Sequence, residues 1–215
     1  MKIYITGCGR SGTTLLRRMF YSFGDVVILD KEISLSAFVR LGDSGVLVAK
    51  RHVGGLMSAA MPLYIERRDV ILAKRNKIRL VHMMRCGKDV VDLAHGDIAQ
   101  RWVACFEAYL RQHPIVTIPV FYEQLVSRPD DVQRQIAARL NLEACRKFSD
   151  YPSFVPESGF RETVGRPRYE ARPLDNSGVD KEYDWLNRVP IPLQSRFSLY
   201  CDLYEMMERA SREAL

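Results

Sequence analysis

Apolar runs of strand length alternate with longer amphipathic stretches along this chain. Residues 2–6, 26–29, 46–49, 78–84 and 115–120 are β-branched or aliphatic runs bounded by polar or Gly-containing segments, and each predicts a buried strand. Between them, 12–22, 33–41, 56–75 and 88–112 predict helices, as do 130–141 and 191–213 after the last strand. Strands alternating with helices imply a parallel sheet covered on both faces, so the expected fold class is α/β, a single-domain three-layer α/β/α architecture. Residues 150–180 are rich in Pro, Gly, Ser and Arg and predict one long loop. Loops of that length in compact domains are commonly functional, and the expectation is a lid over about 150–181.

Composition narrows the class. With 215 residues, 47% of them hydrophobic, the chain can bury one good core, and the domain is expected to span 1–215. No apolar stretch approaches the ~20 residues of a membrane span. The start, Met1-Lys2 and then Ile3-Tyr4-Ile5, lacks the ordered regions of a signal peptide. Five cysteines (Cys8, Cys86, Cys105, Cys145, Cys201) are scattered without C-x-x-C or Cys/His pairing, which fits reduced thiols better than a disulfide frame or a zinc site. A cytoplasmic protein is the expectation. The net charge of +6 fits a polyanionic ligand, and it equally fits a surface kept soluble by excess Lys and Arg.

The candidate chemistry begins in "ITGCGRSGTTLL", residues 5–16. Gly7 and Gly12 have the glycine spacing of a P-loop, and Thr14 stands where its hydroxyl residue belongs, but Thr13 replaces the lysine that reaches the β/γ-phosphates of a nucleotide. The predicted context is strand, Gly-rich turn, helix, which aims free amides and the positive end of the helix dipole at an anion. Ser11, Thr13 and Thr14 add hydroxyls and Arg10 a guanidinium.

"GRSGTTLL" resembles the 5′-phosphosulfate loop, R-S-G-T-[ST]-L-[LM], of sulfotransferases that use 3′-phosphoadenosine 5′-phosphosulfate (PAPS) and release 3′-phosphoadenosine 5′-phosphate (PAP). The resemblance implies a P-loop-like fold and a donor with one 5′-phosphate and a terminal sulfuryl group, which has no β/γ pair for a P-loop lysine to bridge. It implies donor contacts from Gly9, Arg10, Ser11, Gly12, Thr13 and Thr14, with no metal required. A second segment, "IRLVHMMRCGKDVVDLAHG" at 78–96, resembles the family's 3′-phosphate segment, in which Arg85, Gly87, Lys88 and Asp89 match. Leu93 stands in place of the family's serine, and neither Asp92 nor His95 is a convincing substitute. An arginine at a strand end can fork a phosphate with two parallel hydrogen bonds, which suits Arg85. The strand followed by "YEQL" resembles the segment that would place Tyr122 near the adenine. "KEYDWLNRVP" resembles the C-terminal Trp segment, with Lys181 available to close over the donor.

Sulfuryl transfer to a hydroxyl or amine is an in-line displacement, so it needs positioning, a cation on the transferring group and a base for the acceptor proton. Lys50, ending "VLVAK", resembles the family lysine that contacts the transferring group. Two residues compete for the base. "DVVILDKEIS" resembles the stretch in which tyrosylprotein and many bacterial carbohydrate sulfotransferases carry a catalytic Glu, which falls on Glu32, whereas "KRH" resembles the K-x-H of cytosolic small-molecule enzymes, which falls on His52. Glu32 is favoured. Two other classes remain: a P-loop kinase or NTPase using ATP and Mg²⁺, with "VVILD" as the strand ending in a metal-binding Asp30, and a nucleic-acid-binding module using the basic segment 160–172. Too few aromatics interleave those arginines for the second, so no nucleic-acid partner is expected. The partner is expected to be a hydroxyl-bearing acceptor: a glycan, a peptide tyrosine or a small molecule.

Overall fold

The structure is a computed structural model that describes residues 1–29, 31–42, 45–50, 67–92, 97–112, 117–154 and 185–214. Five strands, β1 (Lys2–Gly7), β2 (Val26–Ile28), β3 (Val46–Lys50), β4 (Ile78–Met84) and β5 (Thr117–Phe121), form one sheet in the order β2-β3-β1-β4-β5. Every pairing is parallel, with Ile5 opposite Lys50 on one side of β1 and opposite Val81 on the other. All six residues of β1 are buried, as a central strand covered on both faces requires.

The pleat sorts the core. Ile3, Ile5, Val48, Val81 and Met83 pack against α1 (Thr13–Met19) and α7 (Pro129–Leu140), through Leu16, Met19, Val132 and Ile136. Tyr4, Leu47, Ala49, Ile78 and Leu80 point to the opposite face, toward α2 (Leu35–Val39) and α3 (Arg67–Arg75). On that face, further along β4, α4 (Gly87–Asp92), α5 (Ile98–Gln112) and α9 (Ile191–Glu213) bury Met84 and Phe121 among Val90, Trp102, Phe106 and Phe197. The result is the expected three-layer α/β/α arrangement.

Helix ends follow local chemistry. Ser34 caps α2 by accepting the Ala37 amide at 3.2 Å. Pro129 opens α7, Asp130 and Asp131 sit at the positive end of its dipole, and Asn141 closes it in the left-handed conformation (φ 52°). The predicted helix 88–112 is described as α4 and α5, and 56–75 as α3 over its last part. Two short helices were not expected, α6 (Tyr122–Ser127) and α8 (Tyr151–Phe154), the latter at the start of the predicted lid. Residues 155–184, which hold the rest of that lid and Lys181, lie outside the described residues, as do Asp30, His52, Leu93 and His95.

Candidate active site

The strand order fixes where a ligand can bind. The chain leaves β1 toward one side of the sheet and, after β3, crosses to β4 on the other, so β1 marks the switch point where a crevice opens beyond the carboxyl ends of the strands. The loop after β1, Lys50 at the end of β3, Arg85 just after β4 and Tyr122 just after β5 all lie on that edge.

The loop is compact because its glycines are needed. Gly12 caps α1 at φ 92°, and a Cβ there would fall 2.6 Å from Cδ2 of Tyr122 and 3.0 Å from Cε of Met83. A Cβ on Gly7 would fall 2.4 Å from the Met83 carbonyl oxygen. Arg10 is exposed and takes φ 66°, a conformation that a non-glycine residue rarely adopts. The Ser11 hydroxyl is turned inward and donates to the Cys8 carbonyl at 2.7 Å, so it braces the turn. Gly9, Thr13 and Thr14 are half-buried, and no side chain caps the start of α1.

Lys50 meets this loop. Its Nζ donates to Thr14 Oγ1 at 2.5 Å and pairs with a Glu32 carboxylate oxygen at 2.5 Å. Backbone bonds hold Glu32 there: the segment after β2 runs beside β3 through Leu29 N to Val48 O (2.8 Å) and Ile33 N to Lys50 O (3.3 Å). Tyr4 adds a hydroxyl bond to Ile33 O at 2.7 Å. Burial pulls the Lys50 ammonium down to about 7, and the Arg17 and Arg18 guanidiniums push the same way, while the Glu32 carboxylate acts in the opposite sense. Arg17, buried on α1, donates Nη1 to the Leu29 carbonyl at 3.2 Å. Its sequence signal is its place one turn after Thr13 and Thr14.

Arg85 and Tyr122 form the second half of the site. The guanidinium lies 4.1 Å from the Tyr122 ring centroid, and the edge of that ring touches Gly12. Tyr122 therefore supports Arg85 against the loop, which leaves only one ring face for a base. Arg85 Nη1 also reaches the Arg10 carbonyl at 3.5 Å, and among the described residues its buried Nε has no hydrogen-bond partner, with the Asp89 carboxylate 3.7 Å away in an ion pair. A half-buried guanidinium with N–H groups to spare at the strand ends fits an anion site. The Trp102 indole fixes the Arg85 carbonyl at 3.0 Å, and Glu123 accepts the Cys86 amide at 3.0 Å while Tyr204 donates to its other oxygen. Burial raises the Glu123 carboxyl above its ordinary range. The role of Glu123 was missed in the sequence; its signal was a carboxylate inside the otherwise buried run 120–126.

The structure thus brings together Glu32, Lys50, Thr14 and the loop on one side, and Arg85 with Tyr122 on the other. The kinase reading is not favoured. β3, the strand beside β1, ends in Lys50, while the "VVILD" strand β2 lies at the sheet edge, one strand removed. In a P-loop NTPase the hydroxyl at the Thr14 position holds Mg²⁺, whereas here it accepts from an ammonium.

No family model matches the chain, and no curated protein does. Solved structures do. Mouse sulfotransferase SULT7A1 complexed with PAP is 12% identical at a TM-score of 0.56, covering 99% of this chain and 88% of that one. The sulfotransferase domain from the curacin biosynthetic pathway is 14% identical at 0.63, covering 95% and 97%. The sulfotransferase domain from the Synechococcus PCC 7002 olefin synthase is 15% identical at 0.63, covering 95% and 94%. With its all-parallel five-stranded sheet and a glycine-bound loop at the switch point, the chain has the fold of the sulfotransferases.

Proposed function

We propose that this protein is a PAPS-dependent sulfotransferase. The observation that carries the reading is the meeting of Lys50, Thr14 and Glu32 at the P-loop, which sets a hydroxyl and a carboxylate within hydrogen-bond reach of one cation. When bound, the donor supplies a sulfuryl group on a phosphate that departs as the bisphosphate. The chain's own residues do the rest.

Amides and hydroxyls of residues 9–14 hold the 5′-phosphate, and the Arg85 guanidinium forks the 3′-phosphate with two of its N–H groups. Tyr122 props Arg85 and places its ring beside the adenine. Lys50 turns its ammonium from Thr14 toward the transferring group and neutralises the charge that develops there. Glu32 takes the proton from the acceptor hydroxyl, and its pairing with Lys50 keeps the carboxylate at the mouth of the site. Lys181 and the lid arginines close over the donor. No residue is asked to hold a metal. The domain acts as one unit over 1–215 in the cytoplasm, on a hydroxyl-bearing acceptor of the glycan, peptide tyrosine or small-molecule class.

The test is transfer of ³⁵S from labelled PAPS to a panel of glycans, tyrosine peptides and small alcohols. Label on at least one acceptor, with no added metal, supports the reading. Labelled phosphate transferred from ATP under the same panel, and no sulfate transfer, contradicts it.

A further inference from the structure

The positive charge noted in the sequence is not spread evenly, and the proposed chemistry does not use most of it. The run "RRDVILAKRNKIR", residues 67–79, holds six cations and one anion, a net +5 in a chain whose total is +6. All six cations are exposed. On α3, Arg67, Ile71, Lys74 and Arg75 recur at i, i+4, i+7 and i+8, so they share one face, while Ala73 turns to the core. α3 runs back toward the amino ends of the strands, which delivers Lys74, Arg75 and Lys77 to the edge opposite the P-loop, at the start of β4.

Other groups converge on that edge. Lys2 pairs with Ile78 in the sheet and donates Nζ to the carbonyls of Val39 (3.1 Å) and Leu41 (2.6 Å), which draws the end of α2 and exposed Arg40 alongside. The Met1 ammonium is tied to the Gly45 carbonyl at 2.7 Å. Three large apolar side chains project among these cations: Met1 (39% exposed), Leu41 (39%) and Ile71 (44%). Lys77 adds a local irregularity. It ends α3 at φ 53°, where glycine or asparagine would sit with less strain, and among the described residues no hydrogen bond or ion pair engages its ammonium.

We propose that this amino-terminal edge of the sheet is a docking surface for an anionic phospholipid bilayer. Exposed cations suit lipid headgroups, and apolar tips set among them suit shallow insertion between those headgroups, a combination that a purely polyanionic chain does not reward. Attachment is to the membrane surface, since among the described residues no helix is long and apolar enough to cross one. The six residues of β1 separate the patch from the P-loop by about 20 Å, so the bound protein keeps its crevice turned to solution.

The experiment is cosedimentation of the full chain with vesicles of phosphatidylcholine alone or with one-third phosphatidylserine. Partition onto the anionic vesicles should exceed that onto neutral ones by about tenfold or more and fall with added salt. Lys74→Glu with Arg75→Glu should remove that excess, and Ile71→Ser should weaken binding without changing its salt dependence. Lys77→Gly separates docking from folding: it should weaken binding while holding or raising the melting temperature, because glycine relieves the positive φ. Saturating PAP should leave the partition unchanged. Equal binding to both vesicle types overturns the proposal, as does wild-type partition in the double charge reversal. Displacement by soluble polyglutamate, together with no effect of Ile71→Ser, assigns the surface to an acidic chain and overturns it equally.

Discussion

Lys50 shows how burial and charge set a reactive group. In the free protein burial pulls its ammonium from the ordinary 10.5 down to about 7, so Lys50 gives up its proton more readily than an exposed lysine as pH rises toward 8. A polyanion placed beside it favours the charged form and raises the value again. Binding of PAP at pH 8 should therefore take up close to one proton, read as a dependence of the calorimetric heat on the buffer's ionisation enthalpy. Uptake should shrink toward pH 6, where Lys50 is already protonated, and vanish in Lys50→Met; buffer-independent heats in the wild type would contradict the assignment. Glu32 is tested by kinetics. Glu32→Gln should keep PAP affinity and lose turnover by ~10²–10⁴-fold, as removal of a base does, while His52→Ala has the milder effect. The reverse ranking would give the base to His52. For Arg85, alanine should erase most of the preference for PAP over adenosine 5′-phosphate, a loss of ~1.5–3 kcal/mol, with an unchanged melting curve expected from a side chain that serves the ligand. An unaltered preference would place the 3′-phosphate elsewhere.

At the scale of elements, the turn between β1 and α1 depends on two glycines and the helix that follows β5. Gly12→Ala would force an L side chain to φ 92° and into Tyr122 at the start of α6, so PAP binding should be lost and the fold weakened by ~1–3 kcal/mol. Near-normal binding and stability in that variant would mean that the loop can open without harm. The strands were legible because buried parallel strands are plain apolar runs: 2–6, 78–84 and 46–49 each fall within a residue of β1, β4 and β3. α6 was not, since a helix of six residues between a strand and Pro129 gives too little periodicity, and burial of Glu123 and Gln124 hides the polar face. The α2 region was read longer than it is because Ile33 and Leu41 continue its apolar pattern. Both lie outside the helix, Ile33 held to β3 and Leu41 to Lys2.

At the scale of the whole molecule, the site is a product of topology. Glu32 and Lys50 are far apart in the sequence, and spacing alone could not show that they touch; they meet because β2 lies beside β3 and the chain continues along it. The segments 5–16 and 78–92 stand out in the sequence because their distinctive residues are contiguous. The support given by Tyr122 to Arg85, and by Glu123 to the Cys86 amide, arises only when β4 and β5 pair. The same topology explains why Thr13 can stand where a P-loop lysine would be: a cation arrives from the neighbouring strand and binds the Thr14 hydroxyl. The central claim is that this crevice holds a bisphosphate nucleotide through Lys50 and Arg85 without a metal. Isothermal titration of the full chain with PAP and with ATP, each with Mg²⁺ and with chelator, tests it most directly. PAP should bind more tightly than ATP, with chelator changing nothing; tighter binding of ATP that requires Mg²⁺ would place this crevice among the metal-dependent nucleotide sites instead.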